Sequence, residues 1–320
     1  MNPIEIEHLS LSYGRLEAVH DLSLSLPTGS LCAMVGPNGA GKTTTLRALA
    51  GLLRPRRGSV RVLGTDAFEL GVGERARIGF LDERQQQPEW MTVARLLDYC
   101  RPFYPSWDRA LEADLLRRFE LPLDRPLSKL SRGMRMKALL ISVTAFRPAV
   151  LLLDEPFSGF DPVVRDDVSR GLIEVAQAGE CTILLSSHDI EEVERVADRL
   201  VMLDKGRKLL DEETGSLVGR HRRIDVDLGA PADLRSAQGA GGQPWPAHWS
   251  APQVSGNRIQ FTDTAYAHDG CEAACRARWP EAAVRAVPMG LREIYLHVAR
   301  GAAAGSDGNR ASLGASKEVA

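Results

Sequence analysis

The residues GPNGAGKTT, Gly36 to Thr44, follow the spacing G-x-x-x-x-G-K-[ST], and each residue type in them answers a need of phosphate binding. Gly36, Gly39 and Gly41 let the backbone curl so that successive N–H groups face inward at the positive end of a helix expected from about Lys42. Pro37, Asn38, Ala40 and Thr44 complete the loop. Lys42 reaches the β and γ phosphates, and the Thr43 hydroxyl suits Mg²⁺, which takes few protein ligands and keeps phosphate oxygens and waters as the others. A second group is Asp154 and Glu155 in VLLLDEP, where an apolar run delivers two adjacent carboxylates and Pro156 stops the strand. Asp154 would hold Mg²⁺ directly or through water. Glu155 would orient and polarise the water that attacks the γ phosphate.

These motifs must be carried by strands that feed loops. Short strands are expected at 4–9, 22–26 and 29–35, the last running into the glycine-rich loop and then a helix. From 88 to 137 helical periodicity replaces the strand signal, as in TVARLLDYCRPF and RALEADLLRRF. Strands return at 150–154 and 181–186, with helices over 163–177 and 189–197. Strands alternating with helices imply a largely parallel α/β sheet. In this order and separation the two motifs describe a P-loop nucleotidase.

Further motifs make the chain resemble the ABC ATPase cassette over about two-thirds of its length. LSRGM, Leu130 to Met134, is similar to the signature LSGGQ, with Arg132 in place of the first of the two glycines and Met134 in place of the glutamine. The resemblance implies that Ser131 and Gly133 close over the γ phosphate held by an opposite cassette. It places Tyr13 against adenine, SGFD with Asp161 along the seam between cassettes, and His188 against the γ phosphate. It also implies a water- and Mg²⁺-sensing residue at the start of the helical insertion. Glu83 stands in that register, and Gln85 would fill the place if the loop shifts. The expected fold is an α/β P-loop nucleotide-binding domain with a mostly parallel central sheet, an N-terminal antiparallel β subdomain, a helical insertion at about 88–137 and a small C-terminal α/β domain. The cassette is expected over 1–218, the accessory domain over 219–300 and a disordered tail over 301–320. The cofactors implied are ATP and Mg²⁺. The partners implied are separate membrane-spanning permease subunits and a second cassette, identical or not. The segment MTVARLLDYCRPFYPSWD looks most like the ATPases of bacterial ABC-2-type exporters. A soluble clamp acting on DNA or the ribosome is the alternative, disfavoured by a single cassette without sustained heptads.

Composition agrees. With 320 residues, 44% hydrophobic and 26% charged, the chain can bury a large core. A net charge of −2 gives no basic field for nucleic acid, and no nucleic-acid partner is expected. No apolar run approaches the roughly 20 residues that span a bilayer, and the N-terminus lacks a basic region followed by an apolar stretch. A cytoplasmic location, peripheral on the inner face of the cell membrane, is therefore expected. The five cysteines are odd in number and scattered, which suits free thiols. His268, Cys271 and Cys275 stand close enough to suggest a metal, although two cysteines four apart also describe the buried face of a short helix. Trp90, Tyr99, Phe103, Tyr104 and Trp107 crowd the helical insertion. Core packing is expected to take most of them, and the resemblance implies that others line a partly exposed groove for a membrane partner's helix.

Overall fold

A computed structural model of the chain describes residues 2–82, 85, 87–177, 181–229 and 245–314, the side chains at 177, 268, 269 and 303–314 excepted. The chain divides into two compact units, Met1–Asp211 and Glu212–Ala320.

The first unit is built on two sheets. Strands β1 (Ile4–Tyr13), β2 (Leu16–Leu26), β4 (Arg57–Val62) and β5 (Thr65–Asp66) form an antiparallel sheet in the order β2-β1-β4-β5. The second sheet takes β3 (Leu31–Val35), β6 (Ile78–Leu81), β7 (Val150–Asp154), β8 (Thr182–Ser187), β9 (Arg199–Asp204) and β10 (Arg207–Glu213) in the order β10-β9-β3-β8-β7-β6. Its pairs β3·β8, β3·β9, β7·β8 and β6·β7 are parallel. Parallel strands buried on both faces read as continuous apolar runs, and LCAMV of β3 and VLLLD of β7 are buried at every position. Both sheets supply one core, in which Ile4, Leu24 and Val62 join Met34, Leu152 and Leu184. Because the parallel strands share a direction, the loops after β3, β7 and β8 leave the same sheet edge, the usual place for a ligand in such folds.

The helical region holds α3 (Val93–Cys100), α4 (Arg109–Arg118) and α5 (Arg132–Thr144). Thr92, Asp108 and Ser131 cap their N-termini by accepting backbone N–H bonds. Fewer of its aromatic rings are packed than expected: Tyr104 stacks on buried Phe146 at 3.8 Å and Trp107 donates to Glu112 at 2.6 Å, whereas Trp90, Tyr99 and Phe103 are exposed. Helix α6 (Pro162–Gln177) follows β7. The helix α7 that follows β8 is shorter than expected, Ile190–Val193.

The second unit is an antiparallel sheet of β11 (Arg222–Asp227), β12 (Trp249–Ser255), β13 (Arg258–Asp263) and β14 (Ala283–Pro288), in the order β12-β13-β11-β14. Counting α8 (Thr214–Arg220) before it, its next helix is α9 (His268–Arg278), which packs Cys271 and Cys275 against Ile224, Val226, Ile259 and Phe261. The two thiols thus occupy the apolar face of a helix, and among the described residues no His, Cys, Asp and Glu side chains gather as a metal set. The His268 side chain lies outside the described residues. Helix α10 runs Leu291–Gly314, beyond the Arg300 limit read from the sequence. Residues 315–320 lie outside the described ones.

Candidate active site

The loop between β3 and α1 (Lys42–Leu49) lines a cleft of about 820 Å³ together with Tyr13, Ala18, Arg47, Glu155 and Lys205. Two glycines are dictated by space. A Cβ on Gly36 would sit 2.1 Å from the Leu203 carbonyl oxygen, and one on Gly41 would sit 2.7 Å from that of Ala18. Gly41 also opens α1 at φ 100°, which side-chain-bearing residues avoid. Its side chain absent, the loop closes over Lys42, whose Nζ donates to the carbonyls of Gly36 at 2.7 Å and Pro37 at 3.3 Å and lies 3.6 Å from Glu155 Oε1. Asn38, Gly39, Ala40, Thr43 and Thr44 are lining residues too.

Strand β7 delivers the acids. Thr43 Oγ1 lies 2.8 Å and 3.0 Å from the two Asp154 oxygens, and Ser186 Oγ donates to Asp154 Oδ1 at 2.6 Å. Asp154 and Ser186 are register partners on β7 and β8, so one hydroxyl serves both acids, also accepting the Glu155 N–H at 3.1 Å. Burial raises the Asp154 pKa above the usual carboxylate value, against the lowering effect of its two hydroxyl partners. A hydroxyl and a carboxylate converging as hard oxygen donors fit Mg²⁺. At Glu155 the backbone is left-handed, φ 50°. That turn sends its carboxylate to Lys42 on one side and His188 on the other, with Nδ1 of His188 2.8 Å from Oε2. This bond raises the His188 pKa, though the ring is half exposed.

The signature residues do not join this cleft. Ser131 caps α5 by accepting from Met134 N at 3.2 Å. A Cβ on Gly133 would meet the Gly159 carbonyl at 3.2 Å. Arg132 is exposed, yet it is not merely solvated: its guanidinium donates to Ser158 Oγ at 2.7 Å. Asp161 closes the first turn of α6, accepting from Val163 and Val164 N at 3.0 Å each, and these backbone donors lower its pKa. Glu83 lies outside the described residues. Gln85 is exposed, its N–H donating to Asp82 O at 2.9 Å.

Sequence reasoning missed Ser186, Asp82 and Lys205. Asp82 accepts from Arg47 Nε and Nη2 at 2.9 and 2.7 Å. Lys205 belongs to a β9–β10 turn that brackets the loop, where Gly206 N donates to Ala40 O at 3.1 Å. Ser186 alone carried a local signal, its place before His188 in LLSSH.

A protein-family profile for ABC transporters matches residues 19–158. The sulfate/thiosulfate import ATP-binding protein CysA of Salmonella typhi is 35% identical over 212 residues, 63% of this chain and 58% of that protein. The chain thus spans little more than half the length of that relative. The Nod factor export ATP-binding protein I of Paraburkholderia xenovorans is 35% identical over 228 residues, covering 70% of this chain and 75% of that protein. A solved ATP-binding subunit of an ABC transporter superposes with a TM-score of 0.61 at 28% identity, covering 67% of this chain and 91% of that one. Among the described residues no helix is long and apolar enough to cross a membrane. With the phosphate loop, the two acids and the following histidine at one sheet edge, and with kinship of this extent, the chain belongs to the ABC transporter family and carries its ATP-binding cassette.

Proposed function

We propose that this chain is the ATP-hydrolysing subunit of an ABC exporter, pairing head to tail with a second cassette, identical or not, and driving separate permease subunits from the cytoplasmic face of the membrane. The observation that carries the reading is the linkage of Lys42, Asp154, Glu155 and His188 beside the cleft that residues 38–44 line: Thr43 pairs with Asp154, and Glu155 meets both Lys42 and His188. The loop N–H groups and Lys42 hold the β and γ phosphates, and Tyr13, at the cleft rim, stacks on adenine. Thr43 and Asp154 would hold Mg²⁺, which neutralises phosphate charge when bound. Glu155 positions the attacking water and accepts its proton, while His188 holds the carboxylate in place and faces the γ phosphate. Phosphoryl transfer demands such positioning and charge more than covalent chemistry. Ser131 and Gly133 stand apart from their own cleft, which supports their serving the nucleotide of a second cassette. Exposed Trp90, Tyr99 and Phe103 support a permease contact on the helical region. The export direction draws on the export relative, the larger share of whose length is matched.

The test is ATP hydrolysis and ATP-dependent dimerisation of the purified chain against Glu155→Gln. The variant should bind nucleotide and form an ATP-stabilised dimer while losing turnover by at least about a hundredfold. Turnover at the wild-type rate would remove Glu155 from its role.

A further inference from the structure

Glu192 is a carboxylate that the chemistry above leaves unused, yet only 6% of it is exposed. Burying an acid is costly unless it is paired and hydrogen-bonded, so its partners show what holds it there. Ser187 Oγ donates to Glu192 Oε2 at 2.6 Å, and Arg165 of α6 lies 3.3 Å from Oε1. Side chains alternate along a strand. At the end of β8, Ser186 turns toward Asp154 and Glu155, and Ser187 turns the other way toward Glu192. The Ser187 hydroxyl also accepts the Asp189 N–H at 3.0 Å, so one oxygen bridges across the intervening His188. The imidazole, 53% exposed, has little packing of its own to aim it at Glu155. Arg165 sits one turn into α6, its N–H donating to Asp161 O at 2.9 Å.

We propose that Glu192 is a positioning residue for His188: it fixes the Ser187 hydroxyl, which fixes the turn that aims the imidazole at Glu155, and Arg165 anchors it to the helix after the 158–161 loop. The inference rests on the hydrolysis reading above. Were Glu192 only a buried acid of the core, its loss would lower stability without separating catalysis from binding.

The experiment compares the full chain with Glu192→Ala, Glu192→Gln, Ser187→Ala and the Ser187→Ala/Glu192→Ala double variant. Steady-state ATPase, affinity for a fluorescent ATP analogue, and a long-range ¹H–¹⁵N spectrum of the imidazoles are recorded, with His188 assigned through His188→Gln. Each alanine variant should lower kcat about tenfold. KM and analogue affinity should stay within about twofold. The double variant should fall no further than either single one, because the two residues form one link. Glu192→Gln keeps an acceptor for Ser187 and should recover most of kcat. The His188 Nδ1 signal should move toward that of free imidazole in Glu192→Ala. Wild-type kcat in that variant overturns the proposal, as does an unmoved His188 signal. Should Glu192→Ala fail to fold, Ser187→Ala carries the same comparison. If the wild type binds nucleotide without turning it over, the hydrolysis reading fails, and the His188 signal alone decides the positioning.

Discussion

At Glu155 a side-chain-bearing residue holds a left-handed backbone, φ 50°, a conformation that costs free energy and persists where surroundings over-determine it. Here the surroundings are the Ser186 hydroxyl on its N–H, with the Lys42 ammonium and the His188 imidazole on its carboxylate. The His188 pKa is raised in the folded chain, first by its bond to Glu155. Its contribution to stability is therefore fully present below the ordinary value of about 6.5 and is lost as pH rises through the higher folded value. Thermal midpoints measured across that range should fall with rising pH more steeply in the wild type than in His188→Gln. Lys42, Asp154 and Glu155 were legible in the sequence because spacing and neighbouring residue types are local. Ser186, marked in the sequence only by its place before His188, and Glu192, not marked at all, take their meaning when β8 is placed beside β7 and α6 against α7.

The N-terminus of α5 shows how an element can follow its family while one side chain departs from it. Ser131 caps the helix, and Ser131→Ala should cost about 1 kcal/mol in urea denaturation. Arg132, which stands where the signature has a glycine, fastens the helix start to Ser158 in the same chain. Sequence alone gives the exposure of an arginine and not its partner, since the partner is twenty-odd residues away across a strand. In the helical region Phe146 is fully buried, stacks on Tyr104, and gives its carbonyl to Ser106 Oγ at 2.6 Å. Phe146→Ala should cost about 3–5 kcal/mol, read as a lower urea midpoint at unchanged slope. Strands β3, β7 and β8 were legible from unbroken apolar runs, whereas α7 and α10 were misjudged in length because helix ends are set by tertiary fit as well as composition.

Across the whole molecule the shifted histidines of the two units answer acid in opposite senses. His221 in the second unit is buried, its Nδ1 paired with the Leu217 carbonyl at 2.8 Å, and burial lowers its pKa. A lowered folded value means stability that is present above the ordinary value of about 6.5 and is lost as pH falls through the folded one. Burial lowers His297 as well. Calorimetric scans on the full chain should therefore show acid weakening the second unit while it strengthens the His188–Glu155 pair, and His221→Gln should reduce the acid loss. The change in texture after Gly219 falls just before β11, whereas the second compact unit begins at Glu212, ahead of α8, where composition carries no break from the cassette. Three of the five tryptophans, Trp245, Trp249 and Trp279, gather in that unit around Phe261, with the Trp249 and Trp279 rings 6.3 Å apart and within 9° of parallel. Indoles held at such spacing couple their electronic transitions. The second unit thus carries its own optical signature, an exciton couplet of the strong indole band in far-ultraviolet circular dichroism that is lost when the cluster opens, so its folding can be followed in the intact chain with no dye attached.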